Sequence, residues 1–138
     1  MMTQSRQMSD PLSQSFGLGI DLVDIKRFSD SMQNKEERFL EKVFTNKERI
    51  YCLEKKKPYE HFSARFAAKE AVMKALGTGW AEGISFLDIE INNDDCGTPK
   101  LYLSGKAKEV ASKQQIRGWK VSLSHTANNA IAIVQAIF

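Results

Sequence analysis

The hydrophobic and polar positions of this chain change period several times along its length. From Phe16 to Ile25 (FGLGIDLVDI) they alternate, with Leu18, Ile20 and Leu22 on one face and Gly17, Gly19, Asp21 and Val23 on the other. A period of two predicts a strand. The glycines beside Asp21 leave the backbone there open to close approach. Lys26 to Asn34 predicts a short helix or turn, and Glu36 to Val43 a helix. Thr45-Asn-Lys-Glu48 has capping-box spacing and predicts a helix to about Lys56, before Pro58 breaks the run. From about Glu60 to Leu76 the pattern is helical, long and rich in alanine, and Gly77-Thr-Gly79 stops it.

The second half reads differently. Ile84 to Ile91 predicts a strand, Asn92 to Pro99 is turn chemistry, and Lys100 to Ser104 predicts the returning strand of a hairpin. Gly105 to Gln115 predicts a helix with Ala107, Val110 and Ala111 inward. Trp119 to Thr126 predicts a strand, Ala127 to Asn129 a turn, and Ala130 to Phe138 the last strand. This order predicts an α+β fold, a small antiparallel or mixed sheet packed with a long helix. With 138 residues and no repeat, low-complexity tract or internal linker, one domain is expected over 16–138, preceded by a flexible tail over 1–15.

Composition narrows the classes of function. The 42% hydrophobic and 27% charged residues are ordinary globular usage, so one core is feasible. A chain this small leaves much surface exposed, which leaves room for an oligomer. The net charge of +3 suits an acidic partner or a phosphorylated ligand. It is too weak to point to nucleic acid, where basic clusters with interleaved aromatics are expected. No run approaches the roughly 20 apolar residues of a membrane span. Residues 1–15 contain no apolar signal region. Cys52 and Cys96 lie outside any CxxC spacing, which fits free thiols in a reducing, cytoplasmic setting.

Few residues carry chemistry. Asp21 sits in an apolar strand, where an unpaired carboxylate is costly. A solvated sheet edge or a loop cap explains it, and so does a hard cation shared with a second carboxylate. Glu70 is the candidate for that second carboxylate. It lies one turn before Lys74, so an ordinary i,i+4 ion pair competes with a ligand role. Phe62, Phe66 and Met73 border its face, and Ala64, Ala67, Ala68, Ala71 and Ala75 permit close approach to a sheet. Arg65, Lys69, Glu70 and Lys74 read as the charged border of this helix. His125 ends a strand whose Val121 and Leu123 share its face, and His61 looks solvated. No serine stands in a GxSxG elbow. No His/Cys cluster has zinc spacing. Gly17-x-Gly19 lacks the third glycine of a dinucleotide fingerprint, and a P-loop is absent.

Three separated segments together resemble one family. They are Gly17-Leu-Gly-Ile-Asp21-Leu-Val-Asp-Ile25, Arg65-Phe-Ala-Ala-Lys-Glu70-Ala-Val-Met-Lys74-Ala, and Val121-Ser-Leu-Ser-His125-Thr. In order and spacing they are similar to holo-acyl-carrier-protein synthases, the small single-domain 4′-phosphopantetheinyl transferases. The resemblance covers roughly Phe16 to Phe138. It implies Mg²⁺-dependent transfer of the 4′-phosphopantetheine arm of coenzyme A to a serine of apo acyl carrier protein in fatty acid biosynthesis. Adenosine 3′,5′-bisphosphate is the by-product, and a homotrimer with its site at the subunit interface is implied. On this resemblance Asp21 and Glu70 hold the metal, and Glu70 or a nearby water is the base. Lys74 offsets phosphate charge, and Arg65, His125 and Thr126 hold the nucleotide phosphates. Gly77 and Gly79 let the backbone approach the cofactor. Arg27, helped by Lys26, meets the acidic carrier, and Asp24 is an outer or solvated group.

Two other readings stay open at this level. A Mg²⁺-dependent hydrolase of a diphosphate would use the same carboxylates and transfer to water. A non-enzymatic module would dock its basic face on an acidic protein or RNA and need no metal.

Overall fold

The computed structural model of the chain describes residues 17–33, 36–78 and 83–138. The expected tail over 1–15, Phe16, Asn34 and Gly79 lie outside the described residues. In chain order the elements are strand β1 (Leu18–Asp24), helices α1 (Ile25–Gln33), α2 (Glu36–Val43), α3 (Asn46–Leu53) and α4 (Pro58–Leu76), and a 3₁₀ turn (Phe86–Asp88). Strands β2 (Ile89–Asn93) and β3 (Pro99–Leu103), helix α5 (Gly105–Lys113), and strands β4 (Gly118–His125) and β5 (Asn129–Ile137) complete it. The expected α+β architecture is what forms. β1, β5 and β4 make an antiparallel sheet in that order, and β2 and β3 a separate hairpin.

The contact that organises the fold is α4 against the inner face of the β1-β5-β4 sheet. Small residues line both sides: Ala67, Ala68 and Ala71 of α4, and Ala130, Ala132 and Ala136 of β5, are buried. The helix axis therefore lies close to the strands. Gly19 marks the closest approach, since a Cβ there would overlap the Ala71 carbonyl oxygen. The alternation read in β1 follows from this packing: Gly19 and Val23 turn inward, and Leu18, Ile20 and Leu22 outward. At the far end of α4, Gly77 adopts φ +75° and its N–H closes on Met73 O and Lys74 O. This left-handed cap needs glycine.

α4 is buried around most of its circumference, unlike an amphipathic surface helix. Lys69 accordingly corrects the reading of a charged border. It is turned into the core, and its side chain is fully buried beside that of Glu48. The Lys69 Nζ donates to Glu48 Oε1 at 2.9 Å, to Phe86 O at 3.0 Å and to Ile89 O. Glu48 Oε1 also accepts Thr45 N at 2.9 Å as the capping box predicts, and Oε2 accepts Ile91 N at 2.9 Å. One buried ion pair thus ties the α3 cap, the middle of α4 and the start of β2 together, with every donor of the ammonium satisfied.

Several boundaries differ from the sequence pattern for local reasons. The run from Ile84 does not start as a strand. Ser85 Oγ accepts Leu87 N at 3.1 Å, Asp88 Oδ2 accepts Ser85 N at 3.1 Å, and this small capping box winds Phe86–Asp88 into a 3₁₀ turn. The hairpin strands then extend through Asn93 and from Pro99, which shortens the predicted turn. Ile25 opens α1 instead of ending β1, because Asp24 Oδ1 caps Arg27 N at 2.9 Å. Pro58 starts α4, the first-turn position where its missing N–H costs nothing.

Candidate active site

Two clefts hold the residues singled out by their chemistry. The first, about 490 Å³, lies where β1 passes into α1 and runs along α4. Asp21, Asp24, Arg27 and Glu70 line it, with Phe28, Met32, Phe39 and Phe66 as an apolar wall. The wall is one aromatic cluster: the Phe28 and Phe66 rings lie 5.2 Å apart and the Phe28 and Phe39 rings 6.0 Å apart. Asp21 faces inward from β1 and is held by Lys74, whose Nζ donates to Asp21 Oδ1 at 3.0 Å and to Ile20 O at 3.0 Å. Lys74 therefore pairs with Asp21 across elements. The Asp21 carboxylate is mostly covered, whereas Lys74 is more than half exposed and keeps a face toward solvent.

The second cleft, about 370 Å³, lies among α3, the first turns of α4, the β2–β3 hairpin and β4. Tyr51, His61, Arg65, Asn93, Thr98 and His125 line it. Arg65 is 2% exposed. Its Nη2 donates to Asn93 Oδ1 and its guanidinium lies 4.3 Å from the centre of the Tyr51 ring. Both of these partners are neutral, and the buried Nε has no hydrogen-bond partner among the described residues. His125 Nδ1 stands 3.6 Å from Glu60 Oε1, and the His125 and His61 rings meet edge to face at 5.7 Å. Burial, with Arg65 and His125 close by, holds the His61 imidazolium below its usual pKa.

The predicted site residues thus fall into two groups. Asp21, Glu70 and Arg27 share the first cleft, with Lys74 bonded to Asp21 at its edge. Arg65 and His125 share the second. Helix geometry explains the separation, since five residues turn an α-helix by about 140°. Arg65 and Glu70 therefore leave α4 in different directions. The remaining residues have visible local tasks. Thr126 Oγ1 accepts Asn128 N and Asn129 N, both at 3.1 Å, within the β4–β5 turn. Gly77 is the α4 cap described above. Lys26 Nζ pairs with Asp30 at 2.8 Å on the exposed side of α1, and this partner raises its pKa.

His61 is the lining residue that the pattern along the chain missed. Its surroundings come from Tyr51 and His125, which only the fold brings near. Cys52 is buried and its thiol is pushed up to about 12 by that burial, so it is no nucleophile; Cys96 is exposed. No group of three or more His, Cys, Asp or Glu among the described residues is arranged to hold a metal ion by itself. No described helix is long and apolar enough to cross a membrane.

A small α+β chain with a carboxylate–lysine pair on its first strand and long helix matches a known class of group-transfer enzyme. The family model described as the 4′-phosphopantetheinyl transferase superfamily matches residues 17–134. The chain belongs to that superfamily and is a transferase. Within it, the chain is 44% identical over 119 residues to a holo-[acyl-carrier-protein] synthase of Geobacter metallireducens, covering 86% of this chain and 94% of the relative. Two solved structures are similar in fold. The holo-[acyl-carrier-protein] synthase of Helicobacter pylori, in complex with coenzyme A, superposes with a TM-score of 0.76 at 34% identity, over 86% of this chain and 98% of that one. That of Neisseria meningitidis gives 0.81 at 30% identity, over 88% and 98%.

Proposed function

We propose that this protein transfers the 4′-phosphopantetheine arm of coenzyme A to a serine of an apo acyl carrier protein. The products are holo carrier and adenosine 3′,5′-bisphosphate. The observation that carries the reading is the convergence of Asp21, Glu70 and Lys74 from β1 and α4 at one cleft edge. Asp21 and Glu70 are hard oxygen donors of the kind Mg²⁺ takes, and this ion binds through few carboxylates together with substrate phosphates. When bound, Mg²⁺ would neutralise charge across the diphosphate of coenzyme A.

The chain's own residues do the rest. The serine hydroxyl of the carrier attacks the phosphorus attached to the pantetheine arm, and the bond to the departing nucleotide phosphate breaks. Glu70, directly or through a water, takes the serine proton. Lys74, more than half exposed beside Asp21, would offset the charge that develops on the departing phosphate. Arg65, His125 and Thr126 hold the nucleotide phosphates, and the glycines at the α4 cap allow close approach of the cofactor. The reaction belongs to fatty acid biosynthesis in the cytoplasm.

The two clefts are joined by assembly as a homotrimer. The outer face of the β1-β5-β4 sheet exposes Leu18, Ile20, Leu22, Ile131 and Ile133, and Ile20 faces Ile133 while Leu22 faces Ile131 across the β1–β5 ladder. A contiguous apolar face of this kind marks an interface. A neighbouring copy seated there would bring its Arg65 and His125 toward the Asp21–Glu70 cleft. Mixed trimers test this. A Glu70→Gln variant and a His125→Ala variant, each with low activity, are expected to regain activity when refolded together. Mixtures no more active than their components would place each site within one protomer.

Arg27 lines the first cleft from α1, with Lys26 beside it, and would meet the acidic carrier. Arg27→Ala is expected to raise the carrier KM roughly tenfold, the effect of losing one charge pair of about 1.4 kcal/mol at an interface edge. The KM for coenzyme A should stay unchanged in the same steady-state assay. An unchanged carrier KM would remove Arg27 from the docking surface.

A further inference from the structure

We propose that His61 is an additional phosphate contact in the second cleft and that it takes up a proton when the donor's phosphate enters. The inference rests on the proposed function and adds to it a binding residue and a pH dependence.

The geometry begins with Arg65. A guanidinium 2% exposed, with the neutral Asn93 and Tyr51 beside it and an Nε unbonded among the described residues, is costly to bury unless an anion completes the site. His61 lies one turn before Arg65 on α4, and both line the same cleft with His125. The two imidazoles meet edge to face, so a single anion in the cleft can face both rings and the guanidinium. The charged and titratable groups that act on His61 among the described residues fit that use. Lys55, just beyond α3, and Arg65 of α4 disfavour its cationic form, as does His125 of β4. Glu60 of α4 favours that form and is engaged at 3.6 Å with His125 Nδ1. Tyr51 of α3 contacts the His61 ring and is itself covered by Lys55 and Arg65.

In the free protein, burial and these cations leave His61 neutral at pH 7. A phosphate dianion beside it reverses the balance of charge and raises its pKa. One proton then passes from solvent to the imidazole as the anion binds, and no other bond changes. The bound form holds more protons, so affinity for the donor is greatest below the free-state pKa of His61, falls as pH rises through the bound-state pKa and levels off above it. An opposite charge at this range shifts a pKa by about 1–3 units, which predicts net proton uptake on binding.

Calorimetric titration of the full protein with coenzyme A, in buffers of different ionisation enthalpy, reads the proton directly. Wild type is expected to take up a fraction of a proton at pH 7. His61→Gln should reduce that uptake and weaken coenzyme A about tenfold at pH 6.5, with little change at pH 8.5; tenfold corresponds to one pKa unit. His61→Arg, permanently charged, should restore affinity at pH 8.5 without restoring uptake, which a merely structural role would not do. Repeating the titration with dephospho-coenzyme A separates the two phosphate sources. Uptake that persists assigns the diphosphate to His61, and uptake that disappears assigns the 3′-phosphate. Unaltered uptake and pH dependence in His61→Gln, in a protein that still transfers, would overturn the proposal alone. Failure of wild type to bind coenzyme A would overturn the proposed function with it.

Discussion

Glu70→Gln is expected to lower kcat by about 10³-fold, the scale seen when a charge-stabilising or proton-accepting group is lost from a reaction centre. Gln keeps the shape of Glu and removes its charge. It cannot accept the serine proton, and it is a weak ligand for a hard cation. The position lines the first cleft and is half-buried, so the change leaves the α4 core intact. The melting temperature should therefore stay close to that of the wild type while turnover collapses. Steady-state kinetics with a melting curve on the same sample checks both halves. Near-normal kcat would exclude Glu70 from the base and metal roles together.

The second large effect is on stability. Lys69→Met is expected to destabilise the protein by about 3–5 kcal/mol, the cost of leaving one member of a buried ion pair alone. Met fills the volume and contributes no donor. Glu48, fully buried, would then lose its ammonium partner and keep the Thr45 and Ile91 N–H groups as its donors among the described residues. For a chain of this size the melting temperature should fall by roughly 10 °C or more. Adding Glu48→Gln to Lys69→Met removes the uncompensated charge and should recover part of the loss. Denaturant unfolding of the three proteins measures it, and a Lys69→Met stability within 1 kcal/mol of wild type would contradict the account.

Lys69 also shows what is legible along the chain and what is not. Local signals were readable because they act over three or four residues. The Thr45–Glu48 capping box and the Gly77 cap form as the spacing predicts. The alternation of β1 and the alanines of α4 announced a close helix–sheet contact, and Gly19 against Ala71 makes it. The role of Lys69 was hidden because its partner lies 21 residues away, and a lysine beside a glutamate on a helix reads as surface. His61 looked solvated for the same reason: His125 reaches it from β4, at the other end of the chain. The division of the site into two clefts was available in principle from the helical angle between Arg65 and Glu70. The chain order of the three motifs concealed it. In the run from Ile84, the spacing of Ser85 and Asp88 was a local capping signal that apolar alternation masked.

The outward apolar face of the sheet belongs to the same lesson. Alternation shows that Leu18, Ile20 and Leu22 share a face, and only the packed structure shows that α4 covers the other one. That leaves the apolar side of β1 and β5 exposed, as the proposed homotrimer requires. On that proposal the Arg65 and Glu70 clefts of neighbouring copies would meet.

The central claim is the transfer itself, and intact-mass analysis tests it most directly. An apo acyl carrier protein is incubated with this protein, coenzyme A and Mg²⁺, and weighed. The account predicts a carrier heavier by one phosphopantetheine, with adenosine 3′,5′-bisphosphate released in equal amount. A carrier of unchanged mass, whether coenzyme A is hydrolysed to free phosphopantetheine or left intact, would contradict it.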